Sequence, residues 1–428
     1  MNILIKNTTI VTMDGEKIIQ NGNILIEGNI IKKVFVGEVD ESHTKYIDTI
    51  IDGSGLCSLP GFINCHTHVP MTLLRGEGEG KSLMKWLKES IWPKEEQFKK
   101  EHIKVGASLA FIEMIKSGST TFNDMYLHER EIIESAIENK IRGFFGYTIM
   151  GEKWREHFKK SKELHNLINS LQYDKMKNYT VAPHSPYLLS EEALNEIAIY
   201  AKEKGSIIHT HIAETKDECN IIKERYGTTP VKFLKRCNVF ESKVVAAHSI
   251  YLDDEDMDIY KNNGVSAIYN PQSNMKLASG VAKIKELKEK NINVCLGTDG
   301  TSSNNNLNMF EEMETGAMLQ KLHYEDPAIF NGYEMLQMAT VNGAKALGIE
   351  KLGKICEGYI ADVVMLNMKE AEMMPDKNLL SNLVFSANGG EVLHVIINGE
   401  IIMKNKEMIY IDEEKILFES NKLAKNLI

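Results

Sequence analysis

Gly61-Phe62-Ile63-Asn64-Cys65-His66-Thr67-His68 is a β-prone run that ends in two histidines. Residues two apart on a strand point to the same side, so both imidazoles face one way. Alone the pair is ambiguous, because a solvated strand face can carry the same residues. The rest of the middle region decides the fold. Seven further strand-like runs occur at 120–122, 143–147, 179–182, 206–208, 244–247, 265–269 and 294–297, with helix-like segments between them. The segment 190–204 is an example: Glu191 and Glu192 stand at its start, Lys202 and Lys204 at its end, and Gly205 comes next. Acid first, base last and glycine as terminator suit the helix dipole and the C-cap. Eight strand–helix units in one chain predict an α/β fold, a (β/α)8 TIM-like barrel over 57–356.

Outward from the barrel, both ends change character. The first 56 residues read as short strands at 3–5, 9–11 and 23–26, with Asp14-Gly15 and Asn21-Gly22 as hairpin-type turns between them. Near the other end, runs at 362–366 and 395–397 read as strands, and Asn398-Gly399 as a hairpin turn. These two ends, 1–56 and 357–428, are expected to form one small composite β-sandwich domain.

Composition removes several function classes. Of the 428 residues, 43% are apolar and 26% charged, as in a globular protein with a large core. The net charge of −10 argues against a nucleic-acid partner, which needs clustered positive charge. The six cysteines (Cys57, Cys65, Cys219, Cys237, Cys295 and Cys356) show neither CxxC nor finger-like spacing, so no disulfide framework or structural zinc site is expected and a reducing cytoplasm is the default location. The first 14 residues lack a signal-peptide pattern, and no apolar run approaches about 18 residues, so no membrane partner is expected. The subunit count stays open, a homo-oligomer included.

The chemistry sits where the strands end. The C-terminal ends of barrel strands form the active face. The first candidate ends in His66 and His68, the fourth in His184, the fifth in His211 with Glu214 three residues on, the sixth in His248, and the eighth in Asp299. A lone histidine is more often structural, and a lone Thr-Asp-Gly is usually a turn. The same residue types at the same point of successive units are hard to credit to chance, and they point to a metal site. Three imidazoles and a carboxylate suit one Zn²⁺, with Fe²⁺ or Mn²⁺ as alternatives. Such an ion leaves a position for water and lowers its pKa to roughly 7, which makes hydroxide available at neutral pH. His43, His102, His128, His157, His165, His323 and His394 read as structural or solvated. So does His209, although with His211 it makes a second HxH; the spacing to Glu214 favours His211.

The first-strand run resembles the leading motif of the amidohydrolase superfamily. The continuation Val69-Pro70-Met71-Thr72-Leu73-Leu74-Arg75-Gly76 narrows the resemblance. So do Ala182-Pro183-His184-Ser185-Pro186-Tyr187, His211-Ile212-Ala213-Glu214-Thr215, Asn270-Pro271-Gln272-Ser273-Asn274-Met275-Lys276-Leu277, and Gly297-Thr298-Asp299-Gly300 with Ser303-Asn304-Asn305. Together they resemble the 5-methylthioadenosine/S-adenosylhomocysteine deaminases over essentially the whole chain. The resemblance implies a small-molecule nucleoside substrate and one metal ion on His66, His68, His211 and Asp299. No lysine ends the fourth strand, where two-metal relatives carry a carboxylated one. It also implies that Glu214 lies next to the purine N1 and His248 beside the attacking water. Glu95 would hold the ribose hydroxyls, and His184, Trp86 and Ser303 would be further substrate contacts.

Those roles suit hydrolytic deamination at C6: Glu214 donates a proton to N1, Asp299 carries the water's proton to the leaving amine, and His248 stabilises the attacking hydroxide. General acid–base steps of this kind contribute roughly 10²–10⁴-fold. Without the resemblance, Lys94-Glu95-Glu96 reads as a solvated charge run and Trp86 as core. The third strand departs from the pattern. Relatives that take S-adenosylhomocysteine carry arginines after it; here it ends Phe145-Gly146-Tyr147-Thr148, and Arg155 is the candidate replacement. A carboxylate buried without a cation is costly, so 5′-methylthioadenosine or adenosine is the expected preference. The alternatives are a guanine or cytosine deaminase or a triazine-type chlorohydrolase of the same superfamily, which would have no use for a ribose ligand at Glu95, and a non-catalytic scaffold on the same fold, which would be expected to have lost ligands.

Overall fold

The computed structural model describes residues 1–39, 46–81, 83–171 and 176–427. His43 lies outside them. All eight strand candidates of the middle region are strands: β1 (Phe62–Thr67), β2 (Ser119–Tyr126), β3 (Arg142–Ile149), β4 (Lys177–Pro183), β5 (Ile207–Ile212), β6 (Val244–His248), β7 (Ser266–Tyr269) and β8 (Asn293–Leu296). They pair in parallel and in chain order in one eight-stranded sheet. Hydrogen bonds from side chains and main chain link β1 to the end of β8. Asn64 donates to Thr298 Oγ1 at 2.7 Å and accepts from the Thr298 amide at 3.0 Å, and the Asp299 amide donates to the His66 carbonyl at 2.9 Å. The last of these bonds sets a metal-ligand candidate from each end of the barrel side by side.

The strands form because short runs rich in apolar and β-branched residues are buried along their length, and some of the crossover helices carry side-chain caps. Helix Glu191–Lys204 begins at Ser190, whose side chain accepts from the Ala193 amide. It ends at Gly205, which takes φ 61°, a left-handed value that glycine adopts without a Cβ clash.

A second, nine-stranded sheet draws on both ends of the chain. Strand Leu56–Pro60 is its seam: it runs parallel to Asn2–Val11 and antiparallel to Val363–Asn367. Ile3, Ile5, Ile24 and Ile26 from one end share a core with Val363, Met365, Ile396 and Ile401 from the other. The runs at 3–5 and 9–11 are one strand interrupted by register shifts around Thr8. Asn21-Gly22 is not a turn. It lies inside strand Ile18–Glu27 at that irregularity, with Asn21 at φ 51° and Gly22 opposite Thr8. The glycine is needed for space, since a Cβ there would stand 2.6 Å from Ile10 Cδ1. Asn398-Gly399 does form the two-residue turn, at φ 51° and 76°. The segment after the last strand is a helix, Glu413–Ala424, which packs on barrel helix Lys100–Lys116. The two sheets are tied by a buried pair, in which Arg142 at the foot of β3 donates both terminal nitrogens to Asp362. All six cysteines are free, and no helix among the described residues is long and apolar enough to cross a membrane.

Candidate active site

The site is assembled where strands turn out of the barrel. Three of those turns place a non-glycine residue in the left-handed region: Ala213 at φ 53°, His248 at φ 69° and Asp299 at φ 63°. Such residues cost about 1–3 kcal/mol each and persist where the surroundings over-determine them. Here they do. Asp299 Oδ1 accepts from the Gly300 amide at 2.7 Å, and its Oδ2 from Ser273 Oγ at 2.6 Å. His248 Nδ1 lies 2.9 Å from Asn274 Oδ1. Glu218 accepts from the amides of Ala213 and Glu214 at 2.8 and 2.9 Å, holding the turn that carries Glu214.

Two overlapping triads have ligand atoms within 4.8 Å of one another: His66, His68 and Asp299, and His66, His211 and His248. Asp299 Oδ1 stands 3.4 Å from His66 Nε2 and 3.3 Å from His68 Nε2, so three donor atoms converge without bonding closely. His68 Nδ1 faces the Met125 carbonyl at 2.6 Å and His211 Nδ1 faces the His184 carbonyl at 2.7 Å. A carbonyl only accepts, so each ring in its neutral form is protonated on Nδ1 and offers the Nε2 lone pair. His66 Nε2 is buried with no hydrogen-bond partner. An orphaned imidazole nitrogen beside a carboxylate and two more imidazoles fits a divalent cation.

Electrostatics follow from burial and this crowding. Burial, with neighbouring histidines adding to it, lowers the His66 pKa to about 4 against the pull of Asp299. For His68 burial is outweighed by Asp299, which lifts it to about 9. Asp299 is held well below the usual carboxylate range, because His66 and His68 overcome the burial that would raise it. Glu214 is raised by burial and by the like charge of Asp299. Its Oε2 lies 3.8 Å from His248 Nε2.

One cavity is lined by His68, His211, Asp299, Glu214 and His248, and also by Glu95, His184, Trp86 and Ser303; His66 lies beneath it. Each substrate-contact candidate therefore borders the space above the cluster. Glu95 receives a hydrogen bond from Tyr126 Oη, and burial raises its pKa. Trp86 donates its indole N–H to the Glu77 carbonyl at 2.9 Å and turns its ring to the cavity. His184 is half-buried with its pKa lowered to about 3, chiefly by burial. Ser303 Oγ donates to the Gly300 carbonyl at 3.0 Å.

Arg155 is placed elsewhere. It is exposed, pairs with Glu192 and stacks over Trp154. The helix that carries it, Trp154–Ser170, directs it to solvent, so it does not replace the expected arginine. Lys153 borders an outer cavity of about 600 Å³ that shares Trp92, Glu95, Leu127 and Met150 with the inner one.

Sequence reasoning misses the supporting groups. Ser273 and Asn274 lie in the quoted run after the seventh strand, and their two- and three-residue offsets from Pro271 at a helix start are the available signal. Tyr126 has none. His209, structural on the sequence reading, is fully buried and puts Nε2 at 2.8 Å from His66 Nδ1.

Residues 58–402 match the model of the amidohydrolase family. The chain is 51% identical to a 5-methylthioadenosine/S-adenosylhomocysteine deaminase of Clostridium tetani, over 100% of this chain and 99% of that protein. It is 41% identical to one of Pyrococcus horikoshii, over 92% of this chain and 93% of that protein. Among solved structures, an adenosine deaminase from Xanthomonas campestris with bound zinc is similar at a TM-score of 0.94 and 28% identity, covering 99% of this chain and 98% of that one.

Proposed function

The chain belongs to the amidohydrolase family, and from that premise we propose that it hydrolyses the 6-amino group of an adenosine-type nucleoside to the inosyl product and ammonia. The observation that carries the reading is the single cavity bordered at once by the His–Asp cluster, by Glu214 with His248, and by Glu95. Metal hydrolysis alone would need only the first of these.

His66, His68, His211 and Asp299 would hold one divalent cation, with Zn²⁺ the best match to three imidazoles and a carboxylate. When bound, the cation supplies an acidified water and charge stabilisation at the reacting carbon. The side chains do the rest. Glu214, whose pKa burial raises, gives its proton to N1, so that no negative charge builds on the ring as C6 is attacked. His248, fixed through Nδ1 by Asn274, directs Nε2 at the attacking oxygen. Asp299, its Oδ2 steadied by Ser273, takes a proton from that oxygen and returns it to the departing amine. The two protons of water are then accounted for: one restores Glu214 and the other leaves with ammonia as the C6–N bond breaks. Glu95, oriented by Tyr126, would bind the ribose hydroxyls.

The 5′ group would pass Glu95 towards the outer cavity. Trp92, Phe98, Leu127, Met150 and Leu188 give that space an apolar character that suits a methylthio group. An amino-acid tail would find Lys153 as an exposed cation flanked by Glu152. We therefore expect methylthioadenosine or adenosine to be used better than S-adenosylhomocysteine.

The test is ammonia release by zinc-loaded enzyme with methylthioadenosine, S-adenosylhomocysteine, adenosine, guanine and cytosine, repeated with Glu95→Ala. The nucleosides should be turned over and the free bases not, and loss of a hydrogen bond to a charged group should lower kcat/KM of the variant by about 10–100-fold. Turnover of guanine or cytosine alone, or a silent Glu95→Ala, overturns the nucleoside reading. Equal specificity constants for methylthioadenosine and S-adenosylhomocysteine overturn the preference.

A further inference from the structure

The histidines that offer Nε2 to the candidate metal centre are not all held in the same way. His68 and His211 each face a backbone carbonyl through Nδ1, and a carbonyl has no proton to give. Their tautomers are fixed by the main chain. His66 Nδ1 instead faces another imidazole, Nε2 of His209, at 2.8 Å. An imidazole nitrogen can donate or accept, so this contact is compatible with two arrangements. In one, His66 donates from Nδ1, His209 accepts at Nε2, and the His66 Nε2 lone pair is free. In the other, His209 donates, and the neutral His66 carries its proton on Nε2, aimed into the centre 3.4 Å from Asp299 Oδ1. Only the first arrangement leaves His66 able to bind a cation.

The surroundings of the two rings favour the first. Both rings are fully buried, and no solvent reaches them to take over the hydrogen bond. His66 Nε2 is buried without a hydrogen-bond partner among the candidate ligands His68, His211 and Asp299, where a cation would need its lone pair. With that lone pair on Nε2, the neutral His66 carries its proton on Nδ1, and His209 Nε2 is the atom placed to accept it. His66 and His209 stand on β1 and β5, across the barrel interior from each other, with ring centroids 5.0 Å apart in an edge-to-face arrangement. That geometry brings His66 Nδ1 and His209 Nε2 within hydrogen-bond reach of each other. His209 also lies two residues before His211, so one strand supplies both a ligand candidate and the partner of another.

We propose that His209 is a positioning residue: it accepts the Nδ1 proton of His66 and thereby fixes that ring as a metal ligand through Nε2. The second HxH of the chain is then a functional unit in which only the second histidine would touch the ion. The proposal rests on the reading of His66 as a ligand, and the experiment separates the two.

His209→Leu removes the acceptor, whereas His209→Gln restores one through its amide oxygen. Zinc affinity is measured by chelator competition on metal-free protein, and the melting temperature of each metal-free variant is measured alongside. The protonated nitrogen of His66 is read from ¹⁵N-labelled histidine in the zinc-loaded unmutated protein. Loss of an outer partner weakens metal binding by about 10–100-fold, and that is the expected effect of His209→Leu, with His209→Gln recovering most of it. A structural role alone would lower both melting temperatures without this split. Equal zinc affinity for His209→Leu and the unmutated protein overturns the proposal, and so does an unprotonated His66 Nδ1 in the unmutated protein, which needs no variant to fold. An unmutated protein that takes up no zinc overturns the metal reading itself.

Discussion

The floor of the cavity and its outer end are built on different principles. At the floor, His66, His68, His211, His248 and Asp299 stand on or just after barrel strands, all are buried or nearly so, and each has a second group holding it: His209, Met125, His184, Asn274 and Ser273. At the outer end, the walls come from helical turns between 83 and 98 and from the loop at 150–153, where Glu152 and Lys153 are exposed. Rigid elements give a site its precision, while loops vary cheaply in sequence and shape. Under the proposed function, the difference teaches where each part would reside: reaction chemistry in the strand ends, choice of 5′ group in the loops.

The harshest way to break that comparison is to empty the floor. Chelation of the ion should abolish ammonia release and zinc should restore it, while circular dichroism of the metal-free protein stays that of a folded barrel. The reason is that the core of the barrel is made of apolar side chains such as Phe62, Phe122, Phe145 and Phe310, none of which depends on the ion. Full activity after exhaustive dialysis against chelator would remove the metal from the mechanism.

Next comes the proposed proton donor. Glu214→Gln keeps the shape and loses the transferable proton, so kcat should fall by about 10²–10⁴-fold. The pH profile carries the sign. Burial raises the Glu214 pKa above its ordinary value of 4.5, and in the proposed mechanism the acting form is the protonated one. The group is competent below its raised pKa and loses competence as the pH climbs through it. The kcat/KM of the unmutated enzyme should therefore decline on the alkaline side, and Glu214→Gln should lack that limb. A flat profile, or an identical limb in the variant, would assign the proton to another group.

The same division explains what is legible in the sequence. The strands of the barrel can be read because they are short β-prone runs alternating with helix-like segments, and the rim residues because histidine and aspartate recur at corresponding points. The holding groups cannot, since they are joined across strands by register. Nothing local to His209 says that His66 lies opposite, and nothing near Tyr126 announces Glu95. In the terminal sheet the sequence misleads at Asn21-Gly22, because a glycine required for space at an irregular pairing has the same signature as one required for a turn. Arg155 fails for a related reason: a register of one or two residues on a helix start decides between cavity and solvent, and sequence does not fix it.

The smallest expected effect sharpens the comparison at its outer end. Lys153 is exposed at the rim of the outer cavity, so any contact with a substrate carboxylate would be largely solvated. An exposed ion pair is worth about 0–1 kcal/mol. Lys153→Ala should therefore lower kcat/KM for S-adenosylhomocysteine by no more than about fivefold and more so at low ionic strength, because salt screens exposed pairs. Methylthioadenosine has no carboxylate, and its kcat/KM should be unchanged. Steady-state kinetics with both substrates at two salt concentrations check this. A loss of more than about a hundredfold for S-adenosylhomocysteine alone would mean about 3 kcal/mol at that contact, the scale of a desolvated charge pair rather than a solvated one. The loop at 150–153 would then have to close over the tail and exclude water, and the outer end would share the preorganised character of the floor.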